Sequence, residues 1–349
     1  MLEIDGSQYS GSGTIVRQSV GFAALTGTAI HIFNVRLRRP KPGLRRQHAQ
    51  AVEAVRQLVD GTTEGAIVGA RDFVFRPGKP TRSPNFIWDI GSAGSTTALA
   101  LAVLPVLAFG STSVSIELRG GLFQDFAPSL YHLEHVLLSL LQQMGVKARV
   151  RMERPGYVPT GGGIWHLAVT PTRRTLEPLT LDRPGAVGKI WGIALSSQLR
   201  PQSVSDRMAE STKRAFEAAG YRADIEVVYD DSALQAGADL AVFADLSGGA
   251  RIGSDRAGAP GRRSESIGNY AARRLLEDLK TGASLDRYAS DQIIPWAALA
   301  AGESKFRIPR VSEHIESNAW LSREFLGAEV TIEGHEVTVR GVGFRARAA

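Results

Sequence analysis

The chain predicts a mixed α/β (α+β) fold, and three observations carry the prediction. An apolar-periodic helix, a glycine at its C-terminal end and β-rich sequence recur in that order four times along the chain. Composition changes near Leu181-Asp-Arg-Pro-Gly185, after which a different set of elements follows. At 349 residues, 43% hydrophobic and 22% charged, the chain is long enough for a large core and two domains.

The elements follow in order. Ile15–Thr26 reads as a helix ending at Gly27 before the strand Ala29–Val35. Gln47–Asp60 reads as a helix ending at Gly61, followed by β-rich Gly65-Ala-Ile-Val-Gly69 and Asp72–Phe75. Ala98–Leu107 is an apolar helix, and Leu130–Met144 is a helix ending at Gly145 before the strand Val146–Met152. Beyond the composition break, the strand Lys189–Leu195, the amphipathic helix Ser205–Ala219, and the strands Ala223–Tyr229 and Asp239–Ala244 form an inserted α/β unit. The Gly, Arg and Ser-rich tract Ser247–Ser266 reads as a long mobile loop, because it has little apolar material to order it. The helix Asn269–Lys280 leads back, and Ser312–Leu326 ends at Gly327 before a hairpin around Gly334. The expected organisation is a discontinuous large domain, residues 1–181 and 275–349, with a small insert domain at 182–274.

Composition also bounds function. There is no cysteine, which excludes thiolate zinc sites, disulfides and Cys nucleophiles. The net charge of +6 favours polyanionic partners. The N-terminus lacks a signal-peptide pattern, and the longest apolar run, Ala98–Phe109, is too short to span a bilayer. A cytoplasmic protein without a membrane anchor is expected.

Four segments carry chemistry. Arg36–His48 puts six fixed positive charges around Pro40, Pro42 and Gly43, just before a helix whose first turn holds Arg45 and Arg46. It reads either as an anion site or as a solvated basic loop. Gly91-Ser-Ala-Gly-Ser95 precedes an apolar helix, so its backbone N–H groups either approach an anion or simply make a tight connection. Tyr288, Asp291 and Gln292, at i, i+3 and i+4, share one helix face, which either borders a cleft or faces solvent. Ser312 is a plausible N-cap that puts His314 in a first helical turn with Asn318 one turn later. Positive partial charge there disfavours protonation and keeps the imidazole nucleophilic. The other histidines (His31, His48, His132, His135, His166 and His335) read as structural.

These segments occur in a fixed order with several others: Ile4-Asp-Gly6, Lys41-Pro-Gly-Leu-x-Arg-Gln-His48, Phe75-Arg-Pro-Gly78, Ile90-Gly-Ser-Ala-Gly-Ser95, Gly120-Gly121, Gly156-Tyr-x-Pro-x-Gly-Gly-Gly163, Tyr288-x-x-Asp-Gln292 and His314-x-x-x-Asn318. Along nearly its whole length the chain resembles the RNA 3'-terminal phosphate cyclase family. The resemblance implies a large domain of repeated helix-and-sheet units, similar to the C-terminal domain of a translation initiation factor, interrupted by a small α/β insert. It also implies an ATP-dependent ligase, AMP- and diphosphate-forming, that acts by histidine adenylylation. His314 would become a histidine–AMP, AMP would pass to an RNA 3'-phosphate, and the 2'-hydroxyl would displace it to close a 2',3'-cyclic phosphate.

The implied nucleotide-binding residues are Tyr288, Asp291, Gln292, Gly91, Ser92, Gly94, Ser95 and Arg17. Lys41, Arg45 and Arg46 would hold substrate phosphate, and Asp291 would sit at a divalent metal, Mg²⁺ or Mn²⁺. The implied partners are ATP and RNA with a 3'-phosphate end, and a homodimer is compatible with the resemblance. The sequence departs from the family in its glycine-rich N-terminal segment, Gly6-Ser-Gln-Tyr-Ser-Gly-Ser-Gly-Thr14. Ser10 stands where the family has a metal-binding glutamate, Thr14 replaces a glutamine, and Leu101 replaces another. The alternative is therefore a diverged, non-cyclising member that binds RNA or ribonucleoprotein.

Overall fold

The computed structural model describes residues 1–345. The first unit comprises β1 (Leu2–Asp5), α1 (Gly13–Thr26), β2 (Ile30–Phe33), α2 (Arg46–Leu58), β3 (Thr62–Glu64) and β4 (Phe73–Arg76). β1 and β2 pair in parallel across the α1 crossover, and β4 lies antiparallel to both β2 and β3, giving the order β1-β2-β4-β3. Alternation buries Ile4, Ile30 and Ile32 on one face. Ser12 caps α1 by accepting from Thr14 N, and Gly27, with φ of 73°, ends it.

The second unit repeats the plan with β5 (Asn85–Asp89), α3 (Thr96–Ala108), β6 (Val114–Gly120), a helical run of α4 (Leu130–His132), a π turn (Leu133–Leu137) and α5 (Leu138–Gln143), then β7 (Lys147–Arg154) and β8 (Gly163–Thr170). Its order is β5-β6-β8-β7, again with only the first pair parallel.

The third unit opens with β9 (Thr180–Leu181), after which the chain leaves to build β10 (Val187–Ser197), α6 (Val204–Glu217), β11 (Ala223–Tyr229), β12 (Gly237–Leu246), β13 (Arg251–Ala257) and α7 (Ser264–Lys280). It returns through α8 (Ala289–Gln292) and α9 (Ile294–Leu299) to β14 (Ala301–Arg307), which pairs in parallel with β9. Then α10 (Glu313–Leu326), β15 (Glu329–Glu333) and β16 (Glu336–Val342) complete the order β9-β14-β16-β15. Three units thus share one connectivity, and the fourth sheet, β11-β10-β12-β13, interrupts the crossover of the third. Helix α1 packs against α2, α3 and α10, which brings helices of all three units into one layer. Among the described residues no helix is long and apolar enough to cross a membrane.

The structure corrects three sequence expectations. The tract Ser247–Ser266 is not a loop throughout: Arg251–Ala257 is β13, paired antiparallel with β12, and α7 begins at Ser264. Small residues fit it there beside one large buried apolar side chain, Ile252. Gly253 is buried where a Cβ would lie 2.9 Å from Val136 Cγ2, and its N–H donates to buried Asp286. Gly65–Gly69 is a turn rather than a strand, with both glycines at positive φ. Gly61 does not cap α2 by a left-handed conformation, because Asp60 takes the positive φ. A glycine is required at 61 because a Cβ would stand 2.7 Å from the Arg76 carbonyl oxygen.

Candidate active site

The N-termini of α1, α2 and α10 open onto one cleft of about 960 Å³. Unpaired N–H groups at those termini give it positive partial charge before any side chain is counted. Among the described residues eight arginines line it: Arg17, Arg36, Arg39, Arg45, Arg46, Arg274, Arg287 and Arg310. Asp291 is the sole carboxylate residue among its described lining residues. The balance is that of a polyanion site.

His314 lies in this cleft, in the first turn of α10, whose N-cap Ser312 accepts from Ile315 N. Its Nδ1 is 3.1 Å from Thr14 Oγ1 and 3.5 Å from Ser12 Oγ, both at the start of α1. Burial lowers its pKa to about 4, helped by Arg17 and Arg39 and opposed by Glu313. The ring is therefore neutral at neutral pH, as a nucleophilic imidazole must be. Nε2 has no hydrogen bond among the described residues.

Asp291 and Arg17 form the charged floor. Burial raises the Asp291 carboxyl to about 7 against the pull of Arg17, and burial lowers Arg17 to about 10 against the pull of Asp291. Asn318 Nδ2 donates to the Asp291 carbonyl at 2.6 Å, fixing α8 against α10. Asn318 Oδ1 and Gln292 Oε1 are buried without a hydrogen-bond partner among the described residues, so two acceptors in the cleft lining stand unused. Tyr288 also lines the cleft, edge-on against His132. Beneath it, fully buried His132 and Asp286 pair at 3.1 Å, and Asp286 also accepts from the N–H groups of Tyr288 and Ala289. This ion pair sets where α8 begins.

The glycine loop is tied to α2: Arg46 Nη1 donates to the Gly91 carbonyl at 3.0 Å, and Ser95 N donates to Gln47 Oε1 at 2.9 Å. Ser92 and Gly94 line the cleft, whereas Gly91 lies outside the lining and Ser95 is buried as the N-cap of α3. Lys41 also lies outside the lining. It is exposed on the basic turn, where Arg36 folds back to the Lys41 and Gly43 carbonyls. His48, set aside as structural, accepts from Arg45 N through Nδ1 and so shapes the start of α2. Arg274, Arg287 and Arg310 also line the cleft, although no motif in the sequence marks them.

Ser10 is buried, its Oγ 2.8 Å from Ser317 Oγ and 3.0 Å from Ser12 Oγ. Among the described residues no group of three or more His, Cys, Asp and Glu could hold a metal. A divalent ion in the cleft would therefore have to bring phosphate and water ligands with it, with Asp291 the one carboxylate residue that the described lining could offer. The cleft does not fit a cage built from protein ligands alone.

Comparison with known proteins identifies the family. The family model for RNA 3'-terminal phosphate cyclase matches residues 8–332. A Methanopyrus kandleri protein named RNA 3'-terminal phosphate cyclase is 37% identical over 341 residues, covering 96% of each chain. One of the same name from Methanothermobacter thermautotrophicus is 36% identical, covering 96% of this chain and 97% of its own. The solved enolpyruvyl transferase NikO from Streptomyces tendae aligns over 98% of this chain and 82% of its own, at 12% identity and a TM-score of 0.28, too low to carry an argument. On the family match and the two relatives, this chain belongs to the RNA 3'-terminal phosphate cyclase family.

Proposed function

We propose that this protein converts an RNA 3'-terminal phosphate to a 2',3'-cyclic phosphate at the expense of ATP, with His314 as the nucleophile. The observation that carries the reading is the neutral His314, its Nδ1 engaged by Thr14, in a cleft of eight arginines. With the proton on Nδ1, the Nε2 lone pair attacks the α-phosphorus of ATP, the bond to the diphosphate breaks and a phosphorus–nitrogen bond forms. An oxygen of the RNA 3'-phosphate then attacks the same phosphorus and His314 leaves. The 2'-hydroxyl next attacks the RNA phosphorus, loses its proton and expels AMP. A terminal phosphate has no good leaving group until AMP is attached, which is why the detour through ATP is needed.

Within this reading Arg17, Tyr288, Asp291 and Gln292, with Gly91, Ser92, Gly94 and Ser95, serve the nucleotide, while Arg45 and Arg46, with Lys41 farther out, serve RNA phosphate. Arginine suits these positions because its fork matches phosphate oxygens. A divalent ion bound with the nucleotide at Asp291 would neutralise developing charge. In this reading residues 182–274 form the insert, whose Arg274 reaches the cleft, and 1–181 with 275–349 the domain that carries the rest of the lining. Ser10 in place of an acidic ligand favours the second reading, a non-cyclising RNA-binding member.

The test is labelling with α-labelled ATP and Mg²⁺ or Mn²⁺, followed by a chase with RNA bearing a 3'-phosphate. Acid-labile AMP on the wild type and none on His314→Ala, with the chase yielding cyclic ends, supports cyclisation. An unlabelled wild type that still binds RNA would put the second reading first.

A further inference from the structure

Phe126 is fully exposed although it lines the cleft, and it has no place in the chemistry above. Its backbone is left-handed, with φ of 70°, a conformation that bulky side chains rarely adopt. The structure holds it there from both sides. Asp125 is clamped by Arg256 at 3.1 Å and by Arg262 at 2.8 Å, while the Pro128 carbonyl accepts from Thr97 Oγ1 and Ser129 N donates to Asp255. A strained, doubly anchored turn that presents an aromatic ring to solvent at the edge of an arginine-lined cleft is a built feature. A side chain serving only the fold would be turned inward, as Phe123 is three residues earlier.

We propose that Phe126 is a stacking platform for a base of the RNA strand entering the cleft. The inference rests on the RNA-end reading above and adds a residue to it. A flat ring on the lining of an arginine-rich cleft matches single-stranded RNA, in which charged backbone and π-faced bases alternate. The nucleotide has a different aromatic neighbour in Tyr288, which is half-buried inside the cleft, whereas an open ring at the lip suits a strand that continues into solvent. Stacking tolerates any base, so the platform would position RNA ends without selecting their sequence.

The test is equilibrium binding, by fluorescence anisotropy at one salt concentration, of a 5'-fluorescein hexaribonucleotide ending in a 3'-phosphate. It is repeated with a single abasic residue moved along the strand. Phe126→Ala should weaken binding roughly 5- to 150-fold, the range for losing one stacked base. Phe126→Trp should retain it, and Phe126→Leu should not. One abasic position should weaken the wild type by a similar factor and leave Phe126→Ala no weaker than it already is. Because the ring is exposed, thermal unfolding of the alanine variant should match the wild type and exclude misfolding. Equal binding by wild type and Phe126→Ala would overturn the platform while leaving the RNA-end reading intact. Abasic losses that add fully to the loss in Phe126→Ala would also overturn it, as would an equal fall in AMP labelling by ATP alone. A wild type that binds no 3'-phosphate RNA would overturn both.

Discussion

His314 must be neutral and must carry its proton on Nδ1 if Nε2 is to attack phosphorus, and both conditions can be measured. Burial, with Arg17 and Arg39, brings its pKa to about 4. Because the folded value lies below the ordinary one, the ring takes up a proton only in acid. At pH 5.5 about 3% of it would be protonated, against about 90% for an ordinary histidine of pKa near 6.5. Long-range proton–nitrogen spectra of ¹⁵N-histidine protein, with His314 assigned through His314→Gln, read both charge and tautomer. The wild type should stay neutral from pH 8 to 5.5, with hydrogen on Nδ1 and a bare Nε2. The perturbation is Thr14→Val, which keeps the shape and removes the oxygen 3.1 Å from Nδ1. One hydrogen bond contributes about 0.5–1.5 kcal/mol net, so the tautomers should mix and AMP labelling should slow roughly 2- to 12-fold. Thr14→Ser should recover the rate. A wild-type midpoint near 6.5, or hydrogen on Nε2, would refute the argument, since the attacking lone pair would then be protonated.

Two further predictions concern the cleft's support. Asp286→Ala leaves His132 buried without its counter-charge and should cost about 3–5 kcal/mol in urea unfolding. Its pH dependence has a definite sign. His132 is raised by Asp286 against burial, so its share is present below pH 6.5 and fades as pH climbs through the raised value; Asp286 is lowered by His132 against burial, so its share is present above pH 3.8 and fades as pH falls through the lowered value. The difference between wild type and Asp286→Ala should therefore be widest at about pH 4–6.5. Ser10→Glu puts a carboxylate into the buried Ser12–Ser317 hydroxyl cluster. Without metal it should cost about 3–5 kcal/mol, the usual penalty for an uncompensated buried charge, and Mn²⁺ should restore the thermal midpoint. An unchanged midpoint in Mn²⁺ would mean that position 10 does not face an ion.

How much of this was legible in the chain depends on the distance over which each feature is encoded. The helix-and-strand repeat could be read because capping is local: Gly27 and Gly327 end α1 and α10 in the left-handed conformation that their sequence context suggests. β13 was missed because its fit comes from Val136 and Asp286, which are remote in sequence and compensate for a segment without apolar periodicity. His314, Tyr288 and Asp291, which line one cleft, stand out in the sequence through ordered motifs, and the basic segment through its charge. That Thr14 would meet His314, 300 positions away, could not be read. Arg274, Arg287 and Arg310 reach the same cleft from segments whose local composition is ordinary.

The partners of these arginines explain why the cleft keeps its charge. Arg287 is held by Asp278 and Arg274 by Glu277, ordinary ion pairs that cancel the charge they anchor. Three of the cleft arginines, Arg36, Arg39 and Arg46, are held differently. Arg36 donates to the Lys41 and Gly43 carbonyls, Arg39 to those of Ser10 and Gly11, and Arg46 to that of Gly91. A carbonyl fixes a guanidinium in place yet leaves its positive charge unneutralised. The pKa of Arg36 accordingly falls, through burial and then through Arg45 and Arg39. Such crowding disfavours the empty cleft and is relieved by a bound polyanion, so geometry and charge both reach full effect only when phosphate is present. For the same reason a serine at position 10 is compatible with the proposed reaction: with one carboxylate residue in the described lining, a divalent ion would take most of its ligands from the phosphates that the arginines gather.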